Sequence, residues 1–139
     1  MAPTVFHRGR LIDHVHLRVR DLEATKRFYK AVLAVLGREP TVDGDGYIGF
    51  DELWIDQADA AGPSRVHLAF QAPDRETVAR FYEAGLAAGG RDNGKPGERD
   101  YHPGYYACFL FDPDGHNVEA VFHGPSTRSA ESVEIEVGG

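Results

Sequence analysis

From Leu11 to Val19 the chain alternates, with Val15, Leu17 and Val19 on one side and His14, His16 and Arg18 on the other. A period of two is that of a strand with one face against a core, and here the second face is polar and chemically capable. From about Leu22 to Leu36 the period lengthens, and Leu22, Phe28, Tyr29, Val32, Leu33 and Leu36 fall largely on one stripe. This predicts a helix with Asp21 as its N-cap and Gly37 as its stop. The turn-rich Asp43-Gly44-Asp45-Gly46 leads into short strands at Tyr47 to Phe50 and Leu53 to Ile55. After a linker from Gln57 to Ser64, Val66, Leu68 and Phe70 alternate against His67, Ala69 and Gln71. Pro73-Asp74 opens a second helix that runs to about Ala88 before Gly89-Gly90. Tyr105 to Phe111 and Asn117 to Phe122 then form a hairpin across Asp112-Pro113-Asp114-Gly115, where proline presets the first turn position and glycine closes it.

The pattern is written twice. Arg27 to Arg38 and Arg80 to Arg91, 53 positions apart, are identical at eight of twelve positions. A repeat of this length means two copies of one supersecondary unit. The chain therefore reads as an α+β domain over residues 11–123, with a first module at 11–57 and a second at 65–123. Residues 1–10 read as an arm and 124–139 as a tail, although Val133, Ile135 and Val137 keep the alternation of an edge strand. Arg91 to Gly104 reads as a long polar connection, and Asn93 to Tyr106, which has no counterpart in the first half, as a substrate lid or specificity loop or a dimer contact.

Composition narrows the function classes. Of 139 residues, 42% are hydrophobic and 27% charged, ordinary for a globular domain. The formal charge of −7 argues against a nucleic acid or an anionic membrane as partner, since either needs clustered Lys and Arg. A small molecule is the better expectation. One cysteine, Cys108, excludes an intrachain disulfide framework and fits a reducing cytoplasm; its apolar flanks make it a buried small hydrophobe. No apolar run approaches a membrane span, and the start lacks a signal peptide's apolar region.

The histidines carry more. Val15-His16-Leu17 and Val66-His67-Leu68 are identical tripeptides, but pairing them needs an offset of 51. The longer helix match needs 53 and pairs His14 with His67 instead. In the last strand Val118, Ala120 and Phe122 share the face that packs on a helix, which turns Asn117, Glu119, Val121 and His123 to the open side. A carboxylate turned inward is costly unless paired or bound to a cation. His14, His67 and Glu119 thus lie on three strands, and two histidines with one carboxylate are the ligand set of non-haem Fe(II), also suited to Mn, Ni, Co or Zn. On spacing alone they read rather as three hydrogen-bonded strand residues.

Asp13-His14-Val15-His16-Leu17-Arg18-Val19-Arg20-Asp21-Leu22, Arg27-Phe28-Tyr29 and Phe111-Asp112-Pro113-Asp114-Gly115-His116-Asn117-Val118-Glu119 together resemble the vicinal oxygen chelate superfamily. That group contains glyoxalase I, extradiol ring-cleaving dioxygenases, and the bleomycin and fosfomycin resistance proteins. The resemblance covers about residues 11 to 123. It implies two βαβββ modules forming a cupped mixed sheet with helices outside, around one divalent metal ion held by His14, His67 and Glu119. Glyoxalase I usually has a fourth ligand, in the last strand of the first module. Aligning Phe50-Asp51 with Phe111-Asp112 puts Trp54 there, which cannot ligate, and leaves Asp56 as a substitute. The vacancy favours a three-ligand site like that of the dioxygenases over a standard lactoylglutathione lyase.

Around the ligands, His16 is a candidate acid or base and Arg18 a candidate holder of a substrate carboxylate or enolate. Trp54, Gln71, Arg99, Tyr101, His102, Tyr105, Tyr106 and Asn117 are candidate substrate-binding residues, whereas His116, in the turn, reads as solvated. The expected function is a metal-dependent enzyme whose small substrate chelates the ion through vicinal oxygens, by lyase, isomerase or ring-cleaving dioxygenase chemistry. The rivals are a ligand-sequestering protein like the bleomycin resistance proteins and a fosfomycin-type transferase. Superfamily members often form homodimers and can exchange halves, so His14 meets the other two ligands within its own chain or across a dimer.

Overall fold

The computed structural model describes residues 4–8 and 12–137. Two strand-helix-strand units are evident. The first comprises β2 (Val15–Val19), α1 (Leu22–Val35), β3 (Val42–Gly44), β4 (Tyr47–Phe50) and β5 (Leu53–Gln57). The second comprises β6 (His67–Gln71), α2 (Arg75–Ala87), β7 (Arg91–Glu98), β8 (Tyr106–Phe111) and β9 (Asn117–Phe122). Each forms its own four-stranded mixed sheet, in the orders β2-β5-β4-β3 and β6-β9-β8-β7. The first and last strands of each unit run parallel and the remaining pairs antiparallel. This is the paired βαβββ, α+β architecture expected from the sequence.

Local chemistry accounts for the matching halves. Asp21 caps α1 by accepting from the Ala24 N–H at 3.1 Å, and Asp74 caps α2 by accepting from the Thr77 N–H at 2.7 Å. The two caps are 53 residues apart, the offset of the repeat. Gly37 and Gly89, each at positive φ, follow the helices where a side chain would be strained. Leu17, Val19, Ile48 and Ile55 from one sheet, Leu110, Val118 and Ala120 from the other, and Phe28, Val32, Val78 and Phe81 from the helices are all fully buried. Each large side chain of this kind contributes roughly 1.5–3 kcal/mol by leaving water.

The halves meet where their sequences diverge. Val32 in α1 corresponds to Gly85 in α2, and a Cβ at Gly85 would come within 2.3 Å of Leu110 Cδ1 and 3.2 Å of Val32 Cγ1. A side chain present in one helix is deleted in its copy so that the helices can approach.

A polar cluster also joins the halves, and it corrects the reading of His116 as solvated. Its side chain is fully buried. Nδ1 lies 2.7 Å from Asp112 Oδ2 and Nε2 lies 2.8 Å from Ser64 Oγ, in the linker. Asp112 Oδ2 also accepts from the Tyr29 hydroxyl of α1 at 2.7 Å, and Asp114 accepts from the Arg20 N–H at 2.6 Å. Burial pushes the Asp112 carboxyl up, but hydrogen bonds from His116 and Tyr29 outweigh it and hold the group below the usual carboxylate range. Burial, with Asp112 alongside, pushes the Tyr29 hydroxyl well up.

One further expectation is corrected. Arg91 to Glu98, expected within a long polar connection, is strand β7, the equivalent of β3. It is an edge strand whose register shifts at Asp92, Gly94 and Gly97; bulges erase the period-two signal, and an edge tolerates Pro96. In the segment read as an arm, β1 (Thr4–Arg8) pairs antiparallel with β10 (Val133–Val137), which falls on the residues whose alternation reads as an edge strand.

Candidate metal centre and substrate surface

Strand pairing decides which side chains share the open face of each sheet. In the second half, β6 and β9 run parallel with His67 opposite Asn117 and Ala69 opposite Glu119. Val118 and Ala120 point into the core, so Glu119 and His67 emerge on the far side. Glu119 is nonetheless only 1% exposed. Its Oε1 lies 2.7 Å from His67 Nε2, and its Oε2 accepts a hydrogen bond from the Tyr105 hydroxyl. A buried carboxylate with both oxygens engaged is the arrangement that offsets its desolvation. Burial, reinforced by Glu119, pushes the Tyr105 hydroxyl far up, so it stays a donor at any physiological pH.

The first half presents the corresponding surface without the carboxylate. Its ladder sets His16 opposite Trp54, as Ala69 stands opposite Glu119 in the second. Trp54 therefore occupies the place of Glu119, and it stacks on Tyr47 with centroids 5.0 Å apart and planes 13° from parallel. Asp56, considered as a substitute ligand, lies 2.7 Å from His16 Nε2. Arg18 lies 3.7 Å from Asp59. His14 is largely exposed at the head of β2, with Nδ1 2.8 Å from Asp13.

His67 and Glu119 are therefore brought together, and His14 is not brought to them within the chain. Among the described residues no three His, Cys, Asp or Glu side chains gather closely enough to hold one ion. The donor chemistry still fits a divalent metal: His67 Nε2 and Glu119 Oε1, 2.7 Å apart, can both reach an ion at the usual ligand distance of roughly 2.0–2.2 Å. They supply an imidazole and a carboxylate, with room for a third donor because the His67 side chain is about half exposed.

The other expected residues divide by face. Asn117 accepts from Asn93 at 3.1 Å beside His67, and Gln71 is exposed on the same strand face. Tyr101 and His102 pack against the Tyr105 ring, at centroid distances of 4.8 Å and 5.3 Å. His102 Nε2 is 2.9 Å from His123 Nδ1, and Arg99 covers the Phe109 ring at 5.3 Å. Tyr106 is a correction: strand parity puts it on the helix-facing side, against the core, with Arg75 over its ring at 4.6 Å. Sequence reasoning missed Tyr47 and Phe109. Phe109 was within reach of parity, since it stands directly opposite Glu119 in the hairpin.

A family model described as the Glyoxalase/Bleomycin resistance protein/Dioxygenase superfamily matches residues 11–120. The chain belongs to this superfamily. A glyoxalase/bleomycin resistance protein from Albidiferax ferrireducens is similar at 32% identity and a TM-score of 0.70, over 81% of this chain and 98% of that one. A lactoylglutathione lyase from Agrobacterium tumefaciens is similar at 22% identity and a TM-score of 0.59, over 81% and 93%. A fosfomycin resistance protein from Mesorhizobium loti is similar at 23% and 0.56, over 79% and 89%. At the last two identities the likeness is one of fold. No curated protein matches the chain. Superfamily members usually use a divalent metal. Among the described residues no helix is long and apolar enough to cross a membrane.

Proposed function

We propose that the protein is a divalent-metal-dependent enzyme acting on a small substrate that binds the ion through two adjacent oxygens. The observation that carries this reading is the pairing of a buried Glu119 with His67 on the open face of a sheet. His67 and Glu119 hold the ion, and His14, exposed on the other half, is the third ligand. Because His14 does not reach them within the chain, we place the complete site across a homodimer, with His14 from a second copy. Bound there, the metal supplies Lewis-acid stabilisation of negative charge developing on the substrate.

The chain's own groups do the rest. The Tyr105 hydroxyl fixes one oxygen of Glu119 and so orients the carboxylate towards His67. His16, held by Asp56 as the candidate proton carrier, and Arg18, which faces the substrate, share the open face of His14 and enter the site with it from the second copy. Asn117 and Gln71 edge the cup beside His67, while Trp54 on Tyr47 brings a flat apolar wall from the face of His14. Trp54 at the position of a fourth ligand favours three-ligand chemistry of the dioxygenase kind over that of a lactoylglutathione lyase. We place the protein in the cytoplasm, consistent with its single cysteine, which is buried.

The test is metal content of protein purified without chelator, for the wild type, His67→Ala and Glu119→Gln. Bound metal in the wild type and its loss in both variants is the expected result. A wild type that takes up no divalent metal under any loading condition sinks the enzyme reading. It would leave the ligand-sequestering alternative, which the stacked Tyr47 and Trp54 favour. Mixing His14→Ala with His67→Ala chains tests the shared site: a heterodimer regains one intact ligand set, whereas a site within one chain regains nothing.

A further inference from the structure

We propose that Arg99 makes this centre selective for substrates carrying an anionic group, a carboxylate or an equivalent oxyanion, beside the oxygens that reach the metal. The proposal rests on the metal-centre reading above and adds the substrate's charge class.

Arg99 follows β7, and its side chain folds back along that strand. Nη2 donates to the Lys95 carbonyl at 2.8 Å and Nη1 to the Glu98 carbonyl at 3.2 Å. The guanidinium lies 5.3 Å above the Phe109 ring, whose own centroid is 6.1 Å from that of His67. Phe109 is in turn the ladder partner of Glu119. An aromatic face thus holds a cation over the strand that neighbours Glu119.

The strand is shaped to allow this. A Cβ at Gly94 would stand 3.2 Å from Arg99 Nη2, and one at Gly97 would stand 3.1 Å from Nη1. Both glycines lie where the ladder slips its register. The irregularity of β7 makes a seat for the guanidinium.

The seated charge is available. Its two hydrogen-bond partners are uncharged carbonyls, and a guanidinium has five N–H donors in a fork that suits carboxylate and phosphate oxygens. A cavity of ≈ 320 Å³ opens on the segment that follows β7, lined by Glu98, Arg99, Asp100, His102, Pro103 and Gly104. That volume is at the lower end for small-molecule sites. Of its two carboxylates, Glu98 is bonded to Arg75 at 2.7 Å, and Asp100 is exposed on the rim.

The experiment uses the full chain loaded with Ni(II), with metal content measured first. Calorimetry then compares catechol with 2,3- and 3,4-dihydroxybenzoate, which add a carboxylate to the same pair of oxygens. The wild type should prefer at least one dihydroxybenzoate by about tenfold. Arg99→Ala should erase the preference, and Arg99→Lys should keep part of it because the charge remains while the fork is lost. Gly97→Ala should reduce it by displacing Nη1, and Asp100→Asn should increase it. Equal affinities in the wild type, or an equal loss for charged and neutral ligands in Arg99→Ala, would overturn the proposal. Protein that takes up no nickel, or binds none of the three compounds, would instead sink the metal-centre reading and the proposal with it.

Discussion

The two halves share a topology, a cap position and a strand order, yet they offer opposite chemistry on equivalent faces. At one ladder position the second half has Glu119, buried and bonded on both oxygens, and the first has Trp54, stacked on Tyr47. Duplication preserved the residues that define backbone and core. The open faces were free to diverge because a strand's outward positions can change without disturbing its inward ones. The difference teaches that the fold presents a chemically neutral frame, on which the open face of each half can change alone.

The comparison breaks most severely at Glu119. Glu119→Gln keeps the shape but removes the carboxylate charge of the proposed metal centre. Loss of metal affinity should exceed the roughly 10–100-fold typical of outer-shell changes, as read by competition with a chelating dye. The next effect concerns what ties the halves together. Asp112→Asn leaves Tyr29 and His116 without their shared acceptor charge and should cost about 3 kcal/mol in urea unfolding at pH 7. Because the folded Asp112 carboxyl lies below its usual value, its contribution is fully present above the unfolded value of about 3.9. It is lost as pH falls through the depressed folded value, so wild type and variant should converge in strong acid.

Gly85→Ala sharpens the contrast between the helices. A helical glycine replaced by alanine ordinarily gains up to about 1 kcal/mol. Here the new methyl would meet Leu110 at 2.3 Å, so overpacking should dominate and lower stability by about 1–2 kcal/mol. An effect of similar size, on metal binding and not on stability, is expected at Tyr105→Phe, which frees one oxygen of Glu119. Metal affinity should fall by about tenfold with little change in melting temperature. An unchanged affinity would show that Tyr105 does not orient the carboxylate.

Much of the frame was legible because it depends on local signals. Asp21 and Asp74 announce the helices, the repeat fixes the module register, and the parity of β9 shows which face Glu119 occupies. The polar edge strand β7 was hidden because its bulges and glycines cancel the alternation that marks a strand. β1 and β10 pair across almost the whole chain, a contact no local pattern encodes. The burial of His116 depends on Ser64, 52 positions away, and on Tyr29 from the other half. Strand parity separates the adjacent tyrosines: Tyr105 shares the face of Phe109 and Glu119, which leaves Tyr106 on the core side.

The buried cluster around Asp112 has a consequence for how the duplicated chain can change. Its turn leads directly into the strand bearing Glu119, and that turn is moored to α1 through Tyr29, to the residue before α1's cap through Arg20, and to the linker through Ser64. The half without the glutamate therefore sets the position of the half that has it. Cut in the linker, the chain would yield two fragments, each missing partners for the other's buried polar groups. What began as two interchangeable copies has become a unit that can no longer be divided.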